Sequence, residues 1–378
     1  MMLNLPHQRL AFFLKQVVVI LSSSLASIGL AGNFAIAQVN LDDIKSSIKS
    51  AEFESLCAKP KPSECQDIGK AADISLVLIY SLFDAESIQN VSLRKKVIQR
   101  ISELYNAAQV DTINKRLTLP EIFNSSDQKN FGGYAVLIRS QPTQLDGKNK
   151  LRFVIAFKGT TFRLDDPNDI AASFAVSPKV YLGLHEGIKN YASTVFNESL
   201  SQTMLAEILR LQSDPSNDIE VILTGHSLGV ASFFYAAMLK DAGVLSKNIK
   251  IIVFGAPLFA EASFGNKYRD LVSGLTRVET EGDILRNEKD SPMKLAYDVL
   301  GFVPLGKLVK AETTTKKIVD LNRQREDLEK KMRASPSLDL VTTYLSLQQQ
   351  IFQEKLSIHL YSYRYFYDYY LSIASKSP

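Results

Sequence analysis

The chain of 378 residues lacks the features that mark several protein classes. It has two cysteines, four histidines and no tryptophan, and it contains neither a zinc-type Cys/His spacing nor a glycine-rich phosphate loop. The formal net charge is +4, and it falls to +2 without Arg9 and Lys15 of the leader described below. This charge is too weak to indicate a nucleic-acid partner. No metal or cofactor is implied.

The composition is that of an ordinary soluble globular protein. Hydrophobic residues make up 46% of the chain and charged residues 22%. The length suffices for one large domain with sizeable additions. No internal repeat occurs, and beyond the N-terminal leader no stretch is apolar enough to span a bilayer.

The N-terminus has the pattern of a signal peptide, predicted over residues 1–37. A basic start precedes an apolar stretch from Val17 to Gly32, and Ala35 and Ala37 supply the small residues that signal peptidase reads. Cleavage after Ala37 would export the chain, either to the periplasm or to the outside. An uncleaved anchor is the alternative, but the stretch is short and serine-rich for a spanning helix of about 20 residues.

The two cysteines agree with export. Only seven residues, two of them prolines, lie between Cys57 and Cys65. An oxidising compartment favours a disulfide that closes this small loop. We therefore predict a Cys57–Cys65 bridge, with two free thiols as the alternative. No local motif marks either one as a catalytic cysteine.

Hydrophobic periodicity predicts an α/β fold for residues 38–378. Residues 38–110 have the spacing of helices, and from there on strands alternate with helices. Alternation of this kind indicates a mainly parallel sheet with helices on both faces. The predicted strands are Tyr134–Ile138, Leu151–Phe157, Ile219–Thr224, Ile249–Phe254 and Leu275–Val278, and the predicted helices among them are Glu186–Gln212 and Ser227–Leu239.

Residues 307–353 differ from this pattern. Apolar residues recur at helical spacing among many charges, on both sides of Ser335-Pro336, which suits the start of a second helix. We predict an inserted helical hairpin, serving as a cap over substrate, as a surface for a protein partner, or as a solvated extension.

The residues Gly225-His226-Ser227-Leu228-Gly229 match a nucleophile elbow. In this motif the serine occupies a sharp turn between a strand and a helix, and glycines at Gly225 and Gly229 avoid clashes with the neighbouring backbone. A buried-strand pattern precedes the pentapeptide and a helical one follows it. Ser227 is therefore the predicted nucleophile, and the helix N-terminus directs free N–H groups at the reacting oxygen.

At this pentapeptide the chain resembles the class 3 (fungal-type) lipases, an α/β-hydrolase family. Three further blocks resemble that family: Phe157-Lys158-Gly159-Thr160, with lysine in place of the usual arginine, Leu184–Ile188, and Phe254–Pro257. The resemblance covers roughly residues 130–290 and the stretch around His359. It implies an α/β-hydrolase core with extra N-terminal helices and the inserted hairpin outside it.

Chain order predicts the base. α/β-Hydrolases run Ser, then Asp, then His, and His359 is the one histidine in the sequence beyond the nucleophile. His185 precedes Ser227 and is read as structural, while the side chain of His226 is expected to point away from Ser227. The family resemblance places the acid at Asp283. Glu279, Glu281, Asp290 and Asp298 remain alternatives.

The oxyanion hole is assigned to two backbone N–H groups. One belongs to Leu228, and by resemblance the other belongs to Thr160. The family also implies a lid, here Thr161–Val176, although its usual tryptophan is absent and a surface loop is the alternative. A tyrosine cluster after His359 suits half-buried packing or a lipid–water interface.

Together these features predict a serine hydrolase that acts on a lipid ester, triacylglycerol or phospholipid, at a lipid–water interface. The choice of lipid rests on resemblance. Two alternatives are a lipid acyltransferase that excludes water and a non-catalytic binding protein on a hydrolase scaffold.

Overall fold

The computed structural model describes residues 48–59, 63–87, 89–115, 133–159, 188–286, 294, 297–298, 301–313, 316–335 and 337–374. Five sequence predictions lie outside these residues: the signal peptide 1–37 with its cleavage site, Thr160, the lid Thr161–Val176, His185, and the alternative acid Asp290.

Among the residues that the structure describes, nine strands form one sheet. They are β1 Ile48–Lys49, β2 Ala107–Lys115, β3 Gly133–Ser140, β4 Thr143–Leu145, β5 Lys148–Phe157, β6 Asn217–His226, β7 Ile249–Phe254, β8 Leu275–Thr280 and β9 Lys307–Thr313. Their order is β1-β9-β8-β7-β6-β5-β3-β2, with β4 paired to β5. The strands from β5 to β9 run parallel, while β1, β2, β3 and β4 pair antiparallel with their neighbours.

The helices precede, separate and follow these strands. They are α1 Ala51–Cys57, α2 Ser63–Asp73, α3 Ile79–Ser87, α4 Val91–Tyr105, α5 188–196, α6 Ser199–Gln212, α7 Ala231–Asp241, α8 Ala262–Lys267, α9 Arg269–Ser273, α10 Lys316–Ala334, α11 Leu338–Tyr361 and α12 Arg364–Ala374. A π-helical turn, Ile74–Leu78, joins α2 to α3.

Helices cover both faces of the sheet, which confirms the predicted α/β architecture. On one face, Lys250 of β7 forms an ion pair with Asp67 of α2, at 2.9 Å. On the other face, the rings of Phe157 in β5 and Tyr235 in α7 pack edge to face, 5.4 Å apart. The parallel strands are buried on both sides because crossover helices lie on both sides.

The N-terminal region is not wholly helical. Ile48 and Lys49 form an edge strand that pairs with β9, and β2 begins at Ala107, inside the segment predicted as helix. Pairing with neighbouring strands overrode the local helical spacing at both ends. The predicted disulfide between Cys57 and Cys65 is present, and it joins α1 to α2.

Two helix predictions need correction. The segment Glu186–Gln212 is interrupted at Glu198, whose extended backbone (ψ 144°) starts α6. The predicted hairpin does not begin at residue 307, because Lys307–Thr313 is strand β9, in parallel register with β8. Two buried residues two positions apart, Val309 and Ala311, give that strand its inward face.

The hairpin itself consists of α10 and α11. Lys317 pairs with Glu354 near its base, at 2.9 Å, and Tyr344 bonds to Glu329 further out, at 3.2 Å, so the two helices run antiparallel. The second helix continues past residue 353 to Tyr361. His359 therefore lies in the last turn of the hairpin's second helix.

Candidate active site

The turn after β6 has the geometry of a nucleophile elbow. Ser227 adopts φ +55°, a left-handed conformation that is costly for a residue with a Cβ, and a 3-10 turn Ser227–Val230 follows it. A Cβ on Gly225 would lie 2.4 Å from the carbonyl oxygen of Gly229, and one on Gly229 would lie 2.9 Å from that of Phe157. Only glycine fits at these two positions, which is why the motif has glycine at both.

The residues that follow β5 pack against this turn. A Cβ on Gly159 would lie 2.2 Å from the carbonyl oxygen of His226. The preceding residue, Lys158, is buried, and its ammonium lies 5.0 Å from the ring centroid of Tyr134. The hydroxyl of Tyr191 donates to the carbonyl of Lys158 at 2.9 Å. The backbone that leads into Thr160 is therefore held against the elbow.

The structure brings Asp283 and His359 together. Nδ1–H of His359 donates to both carboxylate oxygens of Asp283, at 3.0 and 2.9 Å. Both side chains are buried, at 2% and 0% exposure. Asp283 lies three residues beyond β8, and His359 lies in α11, so elements distant in the chain meet at the carboxyl ends of the parallel strands.

Two further groups hold the carboxylate of Asp283. The N–H of Leu285 donates to Oδ1 at 2.8 Å, and the hydroxyl of Tyr363 donates to Oδ2. The hydroxyl of Tyr363 in turn accepts from the N–H of Thr280, at 3.1 Å. This network fixes the orientation of the carboxylate that contacts His359.

The surroundings keep Asp283 ionised. Burial by itself would raise the pKa of Asp283, but the charge of His359 and the bonds from His359, Tyr363 and Leu285 hold it below its ordinary value. Burial, followed by the neighbouring Asp283 charge, raises the pKa of Tyr363 well above its ordinary value. The tyrosine therefore stays a hydrogen-bond donor to a carboxylate anion.

A second histidine contacts the first. Nε2 of His226 lies 2.9 Å from the backbone carbonyl oxygen of His359, and the two rings lie 4.5 Å apart between centroids. Because a carbonyl oxygen only accepts, Nε2 of His226 carries the proton. Burial, together with the charge of His359, lowers the pKa of His226 from 6.5 to about 3.

Gly255 packs closely against Asp283, His359 and Tyr363. Its φ is +52°, and a Cβ there would lie 2.8 Å from the Tyr363 ring, 2.9 Å from Oδ2 of Asp283 and 3.0 Å from Cε1 of His359. Any side chain at this position would displace the Asp283–His359 pair.

Sequence reasoning missed Tyr363, His226 and Gly255 as site residues. Tyr363 follows His359 by one helical turn, and that spacing was a usable signal, but it was lost among five neighbouring tyrosines. The sequence prediction expected the side chain of His226 to point away from Ser227, and that expectation does not reveal what the side chain meets there. Of the alternative acids, Glu279 pairs with Arg277 at 2.7 Å.

Within the described ranges, no three His, Cys, Asp or Glu side chains are grouped as metal ligands would be. No helix in that same part of the chain is long and apolar enough to cross a bilayer.

Residues 154–287 match the family model of the class 3 lipases. The resemblance that the sequence predicted is confirmed over this segment, which runs from the middle of β5 past Asp283. The matched segment contains the elbow and the predicted acid, whereas His359 lies beyond it. No curated protein shows a significant match to the chain.

Several solved lipase structures resemble the chain at low identity. A triacylglyceride lipase from Rhizomucor miehei is 16% identical, with 70% of this chain and 82% of that chain covered and a TM-score of 0.38. A lipase from Rhizopus microsporus var. chinensis is 13% identical, with 70% and 76% covered and a TM-score of 0.38. A lipase from Yarrowia lipolytica is 16% identical, with 54% and 68% covered and a TM-score of 0.32.

Proposed function

We propose that this protein hydrolyses lipid esters through a Ser227–His359–Asp283 triad and an acyl-enzyme intermediate. The observation that carries the proposal is the buried contact between Asp283 and Nδ1 of His359, next to the strained elbow at Ser227. A left-handed serine costs stability in the folded state, and catalysis supplies the reason for it. A buried carboxylate–imidazole pair beside such a turn is typical of a functional site.

The reaction begins when Ser227 attacks the ester carbonyl and Nε2 of His359 takes its proton. Asp283 holds the imidazole in the Nδ1–H tautomer and stabilises the imidazolium that forms. The N–H groups of Leu228 and Thr160 stabilise the tetrahedral oxyanion. His359 then protonates the leaving alcohol, and a water activated by the same base releases the acid.

The class 3 lipase match favours a lipid ester, triacylglycerol or phospholipid, as the acyl donor. The disulfide Cys57–Cys65 supports an oxidising compartment, and so the predicted export. Substrate of this kind is met at a lipid–water interface.

The test is labelling by a fluorophosphonate together with hydrolysis of a short soluble ester. Ser227→Ala should abolish both and leave the thermal unfolding temperature within a few degrees, because removing a triad nucleophile costs about 10⁶-fold in kcat and a lone hydroxyl contributes little to folding. His359→Ala should lose activity as severely, whereas His185→Ala should keep it.

Substantial turnover by purified Ser227→Ala would refute the triad. Normal labelling of His359→Ala with loss in His185→Ala would instead reassign the base. Analysis of the products from a long-chain ester separates free fatty acid from acyl groups transferred to another alcohol.

A further inference from the structure

His226 and His359 belong to two elements that are distant in the chain, strand β6 and helix α11. His226 is the last residue of β6, with an extended backbone (φ −111°, ψ 142°), and Ser227 follows it immediately. The side chains of Thr224 and His226 project on the same face of the sheet because they are two residues apart. That face also receives the end of α11, where His359 lies.

The carbonyl of His359 lies where a helix needs an external donor. The last four carbonyls of a helix have no intrahelical N–H to accept from, and α11 ends at Tyr361, two residues after His359. Ile358 receives the N–H of Ser362, at 3.0 Å. The carbonyl of His359 receives the ring N–H of His226 instead. The strand that presents the nucleophile is thereby bonded to the helix that presents the base.

This bond restrains the long second helix of the hairpin at the end that carries His359. The second helix has 24 residues, and it is about 36 Å long at 1.5 Å per residue. Its outer half is solvated, with Leu338 81% and Leu345 58% exposed. Any tilt of such a helix about its base would move His359, whose imidazole must come within hydrogen-bond reach of Ser227 for catalysis.

We propose that His226 is a positioning residue, which fixes the catalytic base by donating its Nε2–H to the His359 carbonyl and packing its ring against the His359 ring. This inference rests on the proposed function. The ring–ring contact is 4.5 Å between centroids at 32° between planes, so the imidazole of His226 restricts rotation of its neighbour.

The protonation state of His226 suits this role. Buried among His359, Asp283 and Tyr363, it has a pKa lowered to about 3, and it remains neutral while His359 gains and loses its proton. A neutral imidazole has one N–H, which the carbonyl bond places on Nε2. No second positive charge then opposes the imidazolium that forms on His359 in the transition state.

The experiment compares three variants with the wild type. His226→Phe retains a flat ring and removes the donor, and His226→Gln supplies an amide N–H with a reach similar to that of Nε2. Thr224→Val is the matched control, because it removes a buried hydroxyl bond (Ser75 to Thr224, 2.8 Å) from the same face of β6, two residues away.

The measurements are kcat and KM on a short soluble ester and the rate of fluorophosphonate labelling. His226→Phe should lower kcat and the labelling rate about 10- to 100-fold, with KM changed less than about twofold, since the loss is one of geometry. His226→Gln should recover most of that loss. Thr224→Val should lose thermal stability and keep its kcat.

The inference is overturned if folded His226→Phe labels and turns over as fast as the wild type, or if His226→Gln is as slow as His226→Phe. If the wild type itself is not labelled at Ser227, the proposed function fails and this role fails with it. Nitrogen-15 shifts of the ring provide a second readout: His226 should remain the Nε2–H tautomer from pH 5 to 9. An Nδ1–H tautomer or titration in that range would contradict the assignment.

Discussion

At the scale of single residues, the site contains one strained backbone conformation and several positions where neighbouring atoms leave no room for a side chain. Ser227 occupies a left-handed conformation that costs about 1–3 kcal/mol for a residue with a side chain, and Gly225, Gly229 and Gly255 lie where a Cβ would overlap neighbouring atoms. Such features persist because the surrounding sheet and helices determine the local geometry. The same crowding excludes side-chain motion that would separate Asp283 from His359.

Tyr363→Phe tests how far the carboxylate needs its hydroxyl donor. The change removes a bond to a buried anion and leaves the N–H of Thr280 without this acceptor. We expect a loss of about 1.5–3 kcal/mol in unfolding free energy and about tenfold in kcat. Tyr365→Phe is the control, because its hydroxyl also donates to a carboxylate, that of Glu54 at 2.7 Å, outside the site. Urea unfolding and kinetics on a soluble ester measure both effects. Equal kcat in the two variants would remove Tyr363 from the catalytic network.

At the scale of elements, the hairpin α10–α11 stands apart from the core while its second helix carries the base. Its inner face is a small apolar cluster of Leu321, Leu347 and Ile351, and its outer part exposes Leu338 and Leu345. A helix whose apolar side chains pack mainly against the other helix of the hairpin contributes little to folding of the sheet. Its outer half is therefore a separable element, but its last turn is not.

Shortening the hairpin tests whether it caps bound substrate. Residues 324–348 are replaced by a short Gly/Ser linker, which leaves β9, the hairpin base and His359 in place. We expect a folded enzyme that still hydrolyses short soluble esters but shows an altered preference among long-chain lipids. Rates across a series of ester chain lengths measure this. A profile unchanged on both substrate types would reject the cap and favour a partner surface or a spacer.

A variant that keeps the length of the hairpin tests whether its exposed apolar side chains, rather than its presence alone, affect the preference among lipids. Leu338, Val341 and Leu345 lie on one side of α11 and are 81%, 37% and 58% exposed. If these side chains contact substrate, changing all three to serine should shift the chain-length profile in the same direction as shortening does.

At the scale of the whole molecule, the buried His226 links folding to pH. The unfolded chain binds a proton at His226 below pH about 6.5, whereas the folded chain binds it only near pH 3. In between, the unfolded state holds more protons, so stability falls as pH falls, by about 1.4 kcal/mol per unit. Asp283 affects stability at lower pH. Because its pKa in the folded state lies below the unfolded value of about 3.9, the ionised carboxylate stabilises the fold above that pH. This contribution is lost on further acidification.

Urea unfolding at pH 7 and pH 5 checks this linkage. The wild type should lose about 2 kcal/mol more than His226→Phe between the two pH values, because protonation between 6.5 and 5 acts only on the chain that has the imidazole. The other histidines are common to both chains. An equal loss in the two would show that His226 is already protonated, or solvated, in the folded state.

Much of the fold followed from local pattern. The five glycine-bounded residues around Ser227 predicted a strand-to-turn junction, and alternating strand and helix patterns predicted a sheet covered on both faces, because these signals act within a few residues of chain. The close spacing of Cys57 and Cys65 predicted their bridge for the same reason. Pairing of β9 with β8 was missed, since a seven-residue strand beside a charged helix has little signal of its own.

Only the tertiary structure decided which side chains surround the acid and the base. Tyr363 and His226 reach Asp283 and His359 because a helix end, a strand end and a loop converge at one edge of the sheet, across sequence separations of 80 and 133 residues. No periodicity encodes contacts of that range. They are set by parallel strand register and by the angle at which α11 returns to the sheet, and both depend on the packing of the complete core.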